Sequence, residues 1–265
     1  MHILSYLGSF FQARITDPII IIGSGRCGSS LLKRILDSHC QLIAYPDEAN
    51  KLWHPNSYPF SQKSIGTPSY VEDPGGFSRL SVKNWPTNYH NQISKVFSDF
   101  FHKKSCGKRI LVIKSAMISF LLPEIYSIFP KAKFIHIYRS GPSVIESFLI
   151  KEWTKYDSYF KDKEEYLKFC AKCWNSTIIE IDHQKSMLKL TDKNFFELSY
   201  EGLCAEPNET FKSLSDFLGI SSHKFRFDIS SIKSTNDKVG NYNCKDDKRK
   251  LLEIMSPAMK LKGYV

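Results

Sequence analysis

The run Pro18–Leu32, PIIIIGSGRCGSSLL, restricts the possible folds more than any other part of this chain. Four consecutive isoleucines, Ile19 to Ile22, show no polar alternation. A strand made of them must be covered on both faces, as in a parallel sheet. Glycines follow at 23, 25 and 28, the residue type that allows tight turns and close approach of backbone to a ligand. Ser29 and Ser30 then open an apolar-periodic run, Leu31, Leu32, Ile35 and Leu36, which predicts an amphipathic helix. Strand, glycine turn and helix N-terminus in succession make an anion site, because free N–H groups and the positive end of the helix dipole point the same way. The competing reading is an ordinary strand–turn–helix whose glycines serve packing alone.

The spacing resembles that of an ATP-binding P-loop, G-x-x-x-x-G-K-[ST]. Gly23 and Gly28 keep the two glycines, and Ser30 stands at the hydroxyl position, but Ser29 stands where the lysine belongs. A cation lies inside the loop instead, at Arg26. The pattern predicts a polyphosphate-like anion held in another way than Mg-ATP.

Further along, apolar runs alternate with helical patterns. RILVIK (109–114), KFIHIY (133–138) and Phe195–Tyr200 predict three more strands. Helices are predicted from about Tyr89 to His102, from Pro123, from Pro142 through Phe148, from about Lys163 to Lys189, and from Pro207 to a stop at Gly219. Cys40–Asn50 reads as loop. The alternation predicts an α/β fold of three layers, helices on both faces of a central parallel sheet, with ligands at the carboxyl ends of the strands. Neither repeats nor a linker divide the chain, so 1–265 predicts one domain, with an N-terminal extension over 1–17. An insertion over 51–108, rich in Pro, Gly, Ser, Asn and aromatics up to about Pro86, suits either an acceptor-binding wall or plain surface covering.

Composition narrows the partners. The net charge of +10 is spread along the chain without a Lys/Arg block, which favours an anionic ligand or membrane surface over nucleic acid. Seven dispersed cysteines suggest reduced thiols. Cys170 and Cys173 have zinc-like spacing but no second pair, and three-residue spacing on a helix puts them on one face, so they read as core. The N-terminal MHILSYLGSFFQARI lacks a basic n-region and a cleavage site and is too short to span a bilayer. It is expected to pack on the domain, with peripheral membrane contact as the alternative. No transmembrane segment is predicted, and the expected location is the cytoplasm, where the sequons at Asn175 and Asn208 carry no weight.

The residues just past the strand ends carry the chemistry. They are Arg26 with Ser29 and Ser30, then Lys114-Ser115, then Arg139-Ser140-Gly141-Pro142 with Ser147 eight residues after Arg139, then Tyr200. Taken singly, Arg139 could cap a helix and Lys114 could be a solvated strand end. Together they put three cations and several hydroxyls on one edge of a sheet.

These residues resemble the sulfotransferases that use 3′-phosphoadenosine 5′-phosphosulfate, from Pro18 to the C-terminus and most weakly over Lys51–Lys108. Arg26-Cys27-Gly28-Ser29-Ser30-Leu31 is similar to the family's 5′-phosphosulfate loop, [KR]-[ST]-G-[ST]-[ST], with Cys27 in place of a hydroxyl residue. Arg139 and Ser147 match the 3′-phosphate motif in type and spacing. Tyr200-Glu201-Gly202-Leu203 followed by Glu206-Pro207 resembles the family's Y-E-D-L…P segment, with Gly202 replacing Asp, and the resemblance places Tyr200 near the adenine. Lys238-Val239-Gly240 resembles the late segment that closes over the nucleotide. The implied cofactor-binding set is therefore Gly25, Arg26, Cys27, Gly28, Ser29, Ser30, Leu31, Arg139, Ser147, Tyr200, Lys238 and Gly240. Arginine in the cation slot is closer to the tyrosylprotein and bacterial branches than to the cytosolic Lys-type enzymes. In those branches a carboxylate about twenty residues after the loop cation is the base. Asp47 and Glu48 lie 21 and 22 residues after Arg26; Glu48 is the family's residue type and Asp47 the alternative.

The resemblance implies in-line transfer of a sulfuryl group from 3′-phosphoadenosine 5′-phosphosulfate to an acceptor hydroxyl or amine, leaving adenosine 3′,5′-bisphosphate (PAP). Arg26, the loop N–H groups and Lys114 would stabilise the leaving phosphate, and Glu48 would take the acceptor proton. No metal is implied, and the strand 133–138 runs into Arg139 rather than a metal-binding Asp. Two other readings remain: a P-loop kinase or NTPase, here without its lysine and metal carboxylate, and a non-catalytic nucleotide-binding protein on the same fold. The acceptor stays open between sugar, lipid, small molecule and peptide tyrosine. Trp53, His54, Tyr58, Phe60 and Trp85 are its candidate wall by position alone. Oligomeric state leaves no mark in the sequence.

Overall fold

The four isoleucines form the middle strand of the sheet. In the computed structural model, which describes residues 15, 17–55, 78, 82–156, 160–228, 232 and 245–265, the elements run in this order. They are β1 (Ile19–Ile22), α1 (Ser29–Asp37), β2 (Leu42–Ala44), α2 (Asn50–Trp53), α3 (Tyr89–Lys104), β3 (Ile110–Lys114), a 3₁₀ turn (Met117–Phe120) and α4 (Leu122–Ile128). Then come β4 (Lys133–Tyr138), α5 (Gly141–Tyr156), α6 (Lys163–Met187), β5 (Phe195–Ser199), α7 (Tyr200–Ala205), α8 (Pro207–Leu218) and α9 (Lys245–Leu261). The sheet has the order β2-β3-β1-β4-β5 and every pairing is parallel. β1 therefore leads to one side of itself and β3 crosses to the other, so the crevice past β1 and β4 is the topological switch point where such sheets bind ligands.

Burial follows the strand period of two. Ile20 and Ile22 pack with Phe97, Ile125 and Ile181 from α3, α4 and α6, and with Phe129 just past α4, on one face. Ile19 and Ile21 pack with Leu32, Ile35, Leu36, Phe211 and Leu214 from α1 and α8, on the other. This is the three-layer arrangement the sequence predicts. A third cluster joins α5, α6 and α9 through Val144, Tyr166, Cys170, Trp174, Met255 and Met259. Cys170 is core, as expected, and Cys173 is half-buried beside it. Gly219 ends α8 in the left-handed conformation, φ 70°, as a C-terminal glycine should. No helix among the described residues is long and apolar enough to cross a membrane.

Several elements depart from the sequence reading, among them the short helices α2 and α7, which had no predicted counterpart. Cys40–Asn50 is not all loop: Leu42–Ala44 pairs with Ile110–Val112 as an edge strand. The C-terminal helix α9, with Pro257 inside it, had no predicted counterpart. Most of the N-terminal extension, and residues 56–77 within the insertion, lie outside the described residues.

Candidate active site

The loop after β1 is shaped by its glycines at the two positions that matter. Gly23 has φ 149°, and a Cβ there would sit 2.3 Å from the Ile137 carbonyl oxygen. Gly28 has φ 100° and is the N-cap of α1; a Cβ there would meet Tyr200 Cδ2 at 2.4 Å. Arg26 also adopts a left-handed backbone, φ 64°, which is uncommon without glycine and is kept where a loop has a task. With Gly28 at the cap, the first turn of α1 has neither a side-chain cap nor an acidic residue over its N–H groups. Ser30 is exposed and Leu31 half-buried. Cys27 turns inward and is fully buried among Leu32, Ile135 and Ile137, where burial pushes its thiol up. Its side chain is thus core filling, and only its backbone can serve a ligand. Ser24 was not singled out in the sequence; its hydroxyl is buried in the loop without a partner among the described residues.

Arg26 reaches across to α5. Its Nε donates to the Ser147 hydroxyl at 3.1 Å, and Nη1 pairs with Glu152 at 3.3 Å. The loop cation and the serine of the 3′-phosphate pattern, 121 residues apart, are therefore one contact apart in space. Glu152 was not anticipated. It lies one turn beyond Ser147 on α5, and nothing local marks it as a partner of the loop.

The second cluster sits past β3. Lys114, 5% exposed, forms an ion pair with Glu48. Asp47 is turned away: its Oδ1 accepts from the Ala49 N–H at 2.6 Å, and the residue is exposed. Of the two candidate carboxylates only Glu48 meets the strand-end lysine. The segment carrying it is anchored from both sides. Lys33 of α1 donates to the Pro46 carbonyl at 2.7 Å, and Ser115 donates to Asn50 Oδ1 at 3.0 Å.

Past β4, Arg139 is buried and its guanidinium lies over the Tyr200 ring, 4.5 Å from the centroid. The Arg139 carbonyl accepts from Trp174 Nε1 at 3.1 Å. Glu201 accepts from the Ser140 N–H at 2.9 Å and from the Tyr264 hydroxyl at 2.9 Å, tying the strand end to the C-terminal segment. Arg26 and Ser147, Lys114 and Glu48, and Arg139 and Tyr200 thus pair off along one edge of the sheet.

Two of the proposed acceptor-wall residues are interior. Trp53 is fully buried against Phe97, at 5.6 Å between ring centroids, because the apolar face of α3 needs a partner there. His54 is buried too, and desolvation lowers its pKa to about 4, so it is neutral. Trp85 is half-buried and donates to the Trp53 carbonyl at 3.2 Å. Tyr58, Phe60, Lys238 and Gly240 lie outside the described residues.

Comparison with known proteins agrees with this fold. Residues 18–224 match the model of the sulfotransferase family. The fold is similar to the sulfotransferase domain from the curacin biosynthetic pathway, at 20% identity and TM-score 0.58, covering 92% of this chain and 99% of that one. It is also similar to sulfotransferase STF9 from Mycobacterium avium, at 10% identity and TM-score 0.61, covering 97% and 80%. Mouse sulfotransferase SULT7A1 complexed with PAP aligns at 15% identity and TM-score 0.51, covering 98% and 90%. A search of curated protein sequences finds no match to the chain. A strand–loop–helix with its cation inside the loop, an all-parallel sheet, and a family match over most of the length lead to one assignment: the chain belongs to the sulfotransferase family.

Proposed function

We propose that the protein transfers a sulfuryl group from 3′-phosphoadenosine 5′-phosphosulfate to an acceptor hydroxyl or amine, with Glu48 as the base. The observation that carries this reading is the Lys114–Glu48 ion pair beside a loop whose cation is Arg26. The site suits a phosphorylated nucleotide on three counts. The first turn of α1 is uncapped beneath Gly28, the buried Ser24 hydroxyl has no partner among the described residues, and three cations line the edge. The mouse relative holds PAP, which supports the same ligand class here.

When bound, the phosphosulfate supplies the sulfuryl group. Gly25 to Leu31 would hold the 5′ end through backbone N–H groups and the Ser29 and Ser30 hydroxyls, with the α1 dipole adding to the attraction. Arg26 and Lys114 would offset negative charge that grows on the leaving oxygen, a role that needs only fixed positive groups in a partly dry site. Glu48 would take the acceptor proton, a contribution of roughly 10²–10⁴-fold. Lys114 would orient the Glu48 carboxylate through their ion pair until then. Arg139 and Ser147 would hold the 3′-phosphate, with Tyr200 under the base.

Thermal shift with PAP against Mg-ATP tests the reading. PAP alone is expected to raise Tm; stabilisation by Mg-ATP alone would instead favour a kinase or NTPase. A protein that binds PAP but sulfates nothing in a broad acceptor screen would be a nucleotide-binding scaffold.

A further inference from the structure

We infer that Ser119 is a positioning residue for the phosphosulfate loop, held in place by Gln184 of α6; the inference rests on the function proposed above. Gly23 is the first residue to leave the sheet, since β1 ends at Ile22, so its peptide groups lose their ladder partners while still buried. One side chain replaces both. The Ser119 hydroxyl accepts from the Gly23 N–H at 3.0 Å and donates to the Gly23 carbonyl at 3.1 Å. These bonds use the hydroxyl's one donor and one of its two acceptor sites, and Ser119 is fully buried.

The 3₁₀ turn that carries Ser119 is itself pinned from behind. Gln184, 2% exposed, donates to the Ser119 carbonyl at 3.0 Å and to the Glu180 carbonyl at 3.2 Å, and accepts from the Leu122 N–H at 2.9 Å. All three of these bonds are made inside an otherwise apolar face formed by Ile22, Ile118, Leu122 and Ile181. A buried amide and a buried hydroxyl are costly in such a place unless bonded, and here both are bonded. The chain of contacts runs from α6 through the turn to the point where the loop begins. It fixes the direction in which Gly23 leaves the strand, and with it the backbone from Ser24 to Gly28. The half of the site past β4, Arg139 and Tyr200, shares none of these bonds.

The two halves can be read separately by calorimetric titration of the full chain with PAP and with adenosine 3′-monophosphate, which lacks the 5′ group the loop would hold. Ser119→Ala is expected to weaken PAP binding roughly tenfold, the loss of two buried bonds partly offset by relaxation. It should weaken adenosine 3′-monophosphate by a clearly smaller factor, passed on through the Arg26–Ser147 contact. Equal weakening of both ligands, or of neither, overturns the inference. Hydrogen exchange on the wild-type protein gives a second reading that needs no variant. The Gly23 amide should be protected like the β1 amides, and exchange at the rate of exposed loop amides would refute the bond. A wild-type protein that does not bind PAP sinks the proposed function instead, while Gly23 protection still reports on the Ser119 contact.

Discussion

Two polar networks lie along the same strands and use the same residue types to opposite ends. One is the loop edge just described. The other surrounds Glu197 on β5, whose carboxylate accepts from His136 Nδ1 at 2.8 Å, Lys262 at 2.5 Å and Lys185 at 3.2 Å. His136 pairs in register with both Ile22 and Glu197, so the second network sits one residue below the loop. Around Glu197 three donors converge on one carboxylate. Burial would push its carboxyl up, but the bonds from His136 and Lys262 outweigh that and hold it well below the usual carboxylate range. Burial likewise keeps His136 neutral. At the loop edge, Arg26 pairs with Glu152, Lys114 pairs with Glu48 and Arg139 lies over Tyr200, while the first turn of α1 has no side-chain cap. Donors that converge on a carboxylate from β5 hold strands together. Cations set beside the uncapped first turn of a helix are placed to receive an anion.

The contrast can be broken from either side. The largest expected effect is at the loop edge. Glu48→Gln should lower turnover by roughly 10²–10⁴-fold without weakening PAP binding, because it removes a negative charge near the ligand. Asp47→Asn should do little; an active Glu48→Gln with a dead Asp47→Asn would move the base to Asp47. Next is Arg139→Ala, expected to weaken PAP by about 10- to 100-fold in titration, from lost charge-assisted bonds of about 1.5–3 kcal/mol. It should spare adenosine 5′-monophosphate.

Around Glu197 the signature reverses. Glu197→Gln should cost about 1–3 kcal/mol in urea denaturation at neutral pH and leave PAP affinity unchanged. Its folded pKa is depressed, so its stabilisation is present above the unfolded carboxylate value of about 4.3 and is lost as pH falls below it. His136 acts in the same direction at higher pH. Its lowered folded pKa makes the unfolded state take up a proton first, so stability begins to fall below about pH 6.5. Glu197→Gln should remove the lower part of that acid loss; an unchanged acid limb would mean other carboxylates dominate. The smallest effect is at α6, whose N-terminus is closed by Asp162 accepting from Glu165 N–H at 2.9 Å. Asp162→Ala should cost about 1 kcal/mol and move no ligand affinity.

How much of this was legible depends on range. β1, β3, β4, α8 and the loop between β1 and α1 were readable because each is set by a local pattern: unbroken apolar runs, helical periodicity, and glycine or proline at the ends. β2 was not, since three residues, Leu42–Ala44, carry too little pattern and become a strand only by pairing with β3. α9 was hidden by its polar start, KDDKRK, and by Pro257; it is held by packing of Leu251, Met255 and Met259 on α6. Trp53 looked like surface because its neighbours are loop-formers, yet its ring fills the space against Phe97.

The sequence by itself determined the fold class, the family and which strand ends carry charge, because strand ends and helix starts are fixed by residues within a few positions of one another. Tertiary structure decided which of those charges meet. Arg26 with Ser147 and Glu152, Glu48 rather than Asp47 with Lys114, and Gly23 on Ser119 are contacts between distant segments. Such pairings depend on how helices cross the sheet and on which way a backbone leaves it. In the opening run, the four isoleucines and three glycines announce an anion loop. The direction in which that loop presents Arg26 comes from a left-handed turn and from side chains about a hundred residues away.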